Sequence, residues 1–111
     1  MSTIFGKILD GQLPAERVYE DDQLIVIKDI NPVASVHLLI IPRKEFTSIQ
    51  EVPEKELAIV SHIASVAQQM AKKFGVENQY RLLTNCGEAA GQTIFHLHFH
   101  LIGGQKLGSM A

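Results

Sequence analysis

The chain has no tryptophan, a single cysteine, only four prolines and no run of like charge longer than three residues. Each scarcity removes a class of protein. The lone thiol, Cys86, excludes an internal disulfide and any cage of cysteines around zinc. Ten basic side chains interspersed with twelve acidic ones leave a formal net charge of -2 and no basic stripe, so neither a nucleic acid nor an anionic membrane is an expected partner. Apolar runs such as Leu38 to Ile41 are far shorter than the roughly 20 residues of a membrane-spanning helix. The first residues lack the basic, then apolar, then small pattern of a secretion signal, so a soluble, cytoplasmic protein is expected. Repeats, low-complexity stretches and Gly/Ser/Pro linkers are missing too. With 111 residues, 46% of them apolar, the chain reads as one domain spanning 1–111 with no room for a second core.

What is present sorts into elements by period. Ile4, Phe5 and Ile8 give a short amphipathic helix within Thr3 to Gly11, stopped by Gly11 and Pro14. Arg17 to Tyr19, Leu24 to Lys28 and His37 to Ile41 read as strands of an antiparallel meander, divided by Asp21-Asp22 and Asn31-Pro32. From Pro53 to Phe74, Leu57, Val60, Ala64, Ala67, Ala71 and Phe74 recur at gaps of three and four, which predicts one long helix. Gly75 follows it where a left-handed residue is wanted, and Lys72 and Lys73 complement the dipole of its last turn. Tyr80 to Thr84 and Ile94 to Ile102 complete an α+β fold: a five-stranded antiparallel sheet with one long helix and a short N-terminal helix.

The chemistry concentrates in the last strand. Of five histidines, three fall within His96-Leu97-His98-Phe99-His100, each separated by one apolar residue. A period of two puts the imidazoles on one face and Phe95, Leu97, Phe99 and Leu101 on the other. Same-face neighbours on a strand stand about 6.6 Å apart, close enough to line one elongated ligand. Three readings compete. The histidines can be tolerated polar residues on a half-exposed face, although titratable neighbours repel one another when protonated. They can bind a metal, but the outer pair would be about 13 Å apart along a regular strand. Bonds from zinc to nitrogen are about 2 Å, so an ion would need His37 or a strong bulge. Or they can perform phosphoryl or nucleotidyl transfer, since neutral imidazole is a competent nucleophile near neutral pH. Gly87 and Gly91 flank a small-residue loop that can approach a ligand closely, while Gln92 and Thr93 put an amide and a hydroxyl beside the histidines. His62, on the long helix, reads as a surface or interface residue, and Cys86 as a small apolar residue at a strand end.

The run His96-Leu97-His98-Phe99-His100-Leu101-Ile102 resembles the signature of the histidine triad (HIT) superfamily. The resemblance continues through Thr3 to Ile8, Tyr19 to Asp22, Asp29 to Pro32, His37, Ile41-Pro42 and Gly91-Gln92-Thr93, and is nearest the Hint branch of nucleotide-binding proteins. It implies a single HIT domain. His98 would be the nucleophile that becomes transiently nucleotidylated, His100 and His96 would flank it, and His37 would support His96. Thr93 would serve the leaving group. Asn85, Gly91 and Gln92 would hold the phosphate, and Asp29 the ribose hydroxyls. Phe5, Ile8, Leu13, Ile27 and Ile30 would form the slot for the base. The implied activity is that of a nucleoside phosphoramidase-type hydrolase acting on purine nucleoside monophosphate derivatives, with no cofactor and no metal. A dinucleoside polyphosphate hydrolase and a nucleotide-binding protein with incidental turnover are the alternatives. The resemblance also implies a homodimer formed through the long helix and one strand. Gly6 and Arg43-Lys44-Glu45 stand where some relatives carry zinc-binding cysteine or a further histidine, and the tail lacks the aromatic residue that others place there.

Overall fold

The computed structural model describes residues 3–110; Met1, Ser2 and Ala111, which fall inside the expected 1–111 domain, lie outside the described residues. Helix α1 (Ile4–Leu9) opens it. Thr3 caps α1 by accepting from the Gly6 N–H at 3.1 Å, and Gly11, at φ 79°, takes the chain out of it. Strands β1 (Arg17–Glu20), β2 (Leu24–Lys28) and β3 (Val36–Pro42) follow, then α2 (Ala58–Lys73), β4 (Tyr80–Leu83) and β5 (Phe99–Gly103). All pairings are antiparallel, in the order β1-β2-β3-β5-β4. The α+β architecture therefore agrees with the sequence pattern. Among the described residues, no helix is long and apolar enough to cross a membrane.

Two elements end elsewhere than their periodicity predicts. The long helix begins at Ala58, because Glu54–Glu56 form a 3-10 turn behind Pro53, whose φ of -60° and ψ of 146° are not helical. The last strand is shorter than the alternation implies. The sheet ladder starts at Phe99; residues 94–96 bend, and the Leu97 N–H donates to the Phe46 carbonyl at 2.6 Å instead of joining a strand. Alternation reports only which way side chains point. It says nothing of whether a ladder partner lies alongside.

The sheet divides two apolar groups. On one face Leu24, Val26, Leu38, Ile40, Leu97, Phe99 and Leu101 pack against Ile63, Val66, Ala67, Met70 and Ala71 of α2. Fully burying each of the larger of these side chains contributes about 1.5–3 kcal/mol, so this face anchors the sheet. On the other face Ile25, Ile27, Leu39 and Ile41 meet Phe5 and Ile8 of α1. The six-residue α1 is much shorter than the 16-residue α2, and beside it the second face opens into a cleft. The register aligns Leu39 with His100 and His37 with Ile102 on that face, which makes His37 a diagonal neighbour of His100. Phe95, expected on the apolar side, is 45% exposed, at a bend of the chain, whereas Leu97 is buried in the core.

Candidate active site

The cleft, about 530 Å³, is bordered by Phe5, Ile8, Leu13, Ile27 and Ile30 on its apolar side and by Asp29, Asn85, Gly91, Thr93, His98 and His100 on its polar side. Ile4, Pro14, Ala15, Leu39 and Ile94, which the sequence did not single out, extend the apolar lining. Three predicted residues do not border it: His96, His37 and Gln92, all buried.

Backbone groups and neighbouring side chains fix the tautomer of each imidazole. His98 Nδ1–H donates to the carbonyl of His96 at 2.8 Å, so Nε2 keeps its lone pair. Its ring stands edge-on to Phe5, with centroids 4.8 Å apart, and Thr84 Oγ1 donates to the His98 carbonyl at 2.7 Å. His37 Nδ1 accepts from the Val33 N–H at 3.1 Å, so the proton of His37 sits on Nε2. That Nε2–H donates to His100 Nδ1 at 2.9 Å, which leaves His100 with Nε2–H as its donor. His96 is fully buried. Its Nε2–H donates to the Pro42 carbonyl at 2.8 Å, and its Nδ1 accepts from the Thr3 hydroxyl at 3.3 Å.

Two of the implied roles are corrected by these contacts. His37 supports His100 and not His96, because the β3–β5 register brings His37 diagonal to His100. Gln92 is not available to a phosphate. Its Oε1 accepts from the Gly87 N–H at 2.8 Å, and its amide donates to the Thr47 and Ile94 carbonyls at 2.7 and 3.1 Å. It closes the loop 85–93, in which Gly87 (φ 90°) and Gly91 (φ 100°) adopt positive φ that other residues rarely take. The spacing of the imidazoles differs too: the ring centroids of His98 and His100 lie 5.1 Å apart, nearer than strand geometry alone gives. Thr3 and the Pro42 carbonyl, which hold His96, lie in segments that carry the family resemblance but were given no role at the site. His62 is more engaged than a bare surface residue, with Nε2 2.7 Å from Asp21 Oδ2. That carboxylate also accepts from Tyr19 and from the Gln23 and Leu24 N–H groups.

Burial favours the neutral form of three of the imidazoles, His37, His98 and His100. Burial pushes the pKa of His100 down to about 4, and the neighbouring His98 and His37 push the same way, against Asp29. Burial also lowers His98, opposed by its bond to the His96 carbonyl, and lowers His37, opposed by Asp29. Neutral imidazoles are what nucleophilic chemistry near neutral pH requires.

Asp29, His37 and His100 also offer ligand atoms within 4.8 Å of one another, the separation of a metal-binding set. The surroundings do not fit an ion. A neutral histidine bound to metal through Nε2 carries its proton on Nδ1 and donates it outward. Here Nδ1 of His37 faces the Val33 N–H, so a proton there would meet another donor.

Fold and site together define a small α+β protein that sets His98 and His100 at the edge of an apolar cleft, with His96 and His37 buried behind them. The family model described as "Scavenger mRNA decapping enzyme C-term binding" matches residues 2–110. A HIT-like protein of Chlamydia muridarum is 46% identical over 111 residues, covering 100% of this chain and 88% of that protein. The structure of a HIT family hydrolase from Clostridium thermocellum is 46% identical with a TM-score of 0.93, covering 98% of this chain and 96% of that one. A histidine triad protein from Clostridium difficile is 42% identical with a TM-score of 0.94, covering 100% and 97%. The chain belongs to the histidine triad family.

Proposed function

We propose that this protein is a nucleoside phosphoramidase-type hydrolase that cleaves purine nucleoside monophosphate derivatives at the α-phosphate. The carrying observation is His98: buried, neutral, anchored by Nδ1–H to its own main chain, with its Nε2 lone pair available at the cleft. The apolar side of the cleft, with Phe5, Ile8, Leu13, Ile27 and Ile30, suits a flat base, and the carboxylate of Asp29 suits the sugar hydroxyls. A relative named as a hydrolase, the Clostridium thermocellum protein, supports the reaction class.

The reaction takes two displacements. His98 Nε2 bonds to phosphorus as the P–N bond to the leaving amine breaks, and the amine leaves with the electron pair and takes a proton from water. A water molecule then attacks phosphorus, the P–Nε2 bond breaks, and the water proton passes to solvent as the nucleoside monophosphate departs. His100 Nε2–H and Asn85 stabilise the charge on the non-bridging oxygens, Gly91 lets the phosphate approach the main chain, and the Thr93 hydroxyl serves the leaving group. His96 acts from behind, through the carbonyl that orients His98, and His37 through His100. The test is turnover of an adenosine phosphoramidate by wild type and His98→Asn. The variant should retain the fold and lose at least about a thousandfold in kcat, the scale on which removal of a nucleophile is felt. Wild-type turnover in the variant refutes the proposal.

A further inference from the structure

We infer that Asp29 and His37 form a link through which the sugar end of a bound nucleotide controls the hydrogen-bond donor that His100 presents to the phosphate; this rests on the function proposed above. The Val33 N–H confines the proton of His37 to Nε2, and that N–H has two acceptors within reach. His100 Nδ1 lies at 2.9 Å and Asp29 Oδ2 at 3.3 Å. The His37 side chain is 4% exposed and that of Asp29 18%, and of the two only Asp29 borders the main cleft. A ligand therefore touches the link at Asp29. Oδ1 of Asp29 already accepts from the Asn31 N–H at 2.8 Å, so Oδ2 is the oxygen left to serve both a sugar hydroxyl and His37.

A hydroxyl donating to Oδ2 shares that oxygen's negative charge and weakens its pull on the His37 proton. The bond from His37 to His100 then tightens, holding His100 Nδ1 as an acceptor and Nε2–H as the donor facing the phosphate. No covalent bond breaks and no proton changes atom; one hydrogen bond gains at the expense of a neighbour. The Asp29 N–H donates to the His37 carbonyl at 3.0 Å, so the main chain already holds the two residues together and need not rearrange. His37 is a positioning residue in this scheme. The sugar hydroxyls contribute to the rate of the chemical step as well as to binding.

Two measurements on the full chain test the link. With imidazole nitrogens labelled by 15N, adenosine monophosphate should move the His37 Nε2–H proton further downfield, and shift the accepting His100 Nδ1 resonance further, than its 2′,3′-dideoxy analogue does, as a tighter His37–His100 bond requires. Identical His100 spectra with both ligands bound overturn the inference while leaving the proposed function standing, whereas failure of both nucleotides to bind refutes the function itself. In steady-state kinetics, removing the sugar hydroxyls from an adenosine phosphoramidate should lower wild-type kcat about three- to tenfold in addition to raising KM, the scale of one net hydrogen bond. In His37→Gln the penalty on kcat should shrink below about twofold while the penalty on KM remains. A sugar penalty confined to KM in wild type, or an undiminished kcat penalty in the variant, overturns the link. Should His37→Gln not fold, the spectra and the wild-type kcat decide.

Discussion

Gln92 provides the sharpest test of the corrected site, because a phosphate ligand and a loop clasp predict different consequences for one substitution. Gln92→Ala removes three hydrogen bonds at once, leaving the Gly87 N–H and the Thr47 and Ile94 carbonyls without their partner. Abandoning a buried polar group costs about 1–3 kcal/mol. Gly91 and Thr93 beside it are exposed and admit water, so the lower end applies to each and the sum is about 3 kcal/mol. That is a large share of the 5–15 kcal/mol typical of a domain. Gln92→Glu refines the test. One oxygen of the new carboxyl still accepts from Gly87, but the other faces two carbonyls and is tolerated there only when it carries a proton. Its folded pKa must rise above the usual value of about 4.3, so the variant is least impaired below that pH and loses stability as pH rises through the raised value. Urea unfolding at pH 5 and pH 8 measures both effects. A Gln92→Ala variant within about 1 kcal/mol of wild type, with KM for a nucleotide substrate sharply raised, would refute the clasp and restore the phosphate contact.

Two further outcomes follow from the histidine environment. His100 is held neutral with a pKa of about 4, against about 6.5 in the unfolded chain, so the unfolded state binds more protons between these values. The contribution of neutral His100 is therefore fully present above about pH 6.5 and is lost as pH drops toward 4; pH-dependent urea midpoints should show this slope, and His100→Gln should flatten it. Thr3→Val removes the cap of α1 and the hydroxyl that meets His96, costing about 1–2 kcal/mol by thermal unfolding, while Thr3→Ser retains nearly all of it.

How much of this was legible beforehand depends on the kind of signal each residue carried. Five apolar members of the cleft, Phe5, Ile8, Leu13, Ile27 and Ile30, together with Asp29, Asn85, Gly91, Thr93, His98 and His100, do border one space, and most of these were named through the family resemblance, which transfers positions that residue type alone leaves as ordinary core or turn. What the residue types could not report was pairing. His37 and Gln92 were both recognised as belonging to the site and both were given the wrong partner. Which histidine His37 touches depends on the β3–β5 register, and no local pattern encodes the pairing of strands about 60 residues apart. Gln92 carries an amide equally suited to a phosphate and to main-chain groups, and only the path of residues 85–94 shows which it meets. The segment 94–98 misled for a different reason: it alternates like a strand, but its hydrogen bonds go to a loop.

The single-layer sheet separating the helix-packed core from the cleft has one more implication, for the insertions and deletions that this gene can accept. Along β3 and β5 each residue belongs to one compartment and its neighbour to the other, so losing one codon there would turn His100 into the oil of the core and Leu101 into the cleft. No substitution elsewhere could restore the phase. Length variation among descendants of this chain should accumulate in the turns and the tail, and stay out of residues 36–42 and 99–103 even at positions whose side chains tolerate exchange.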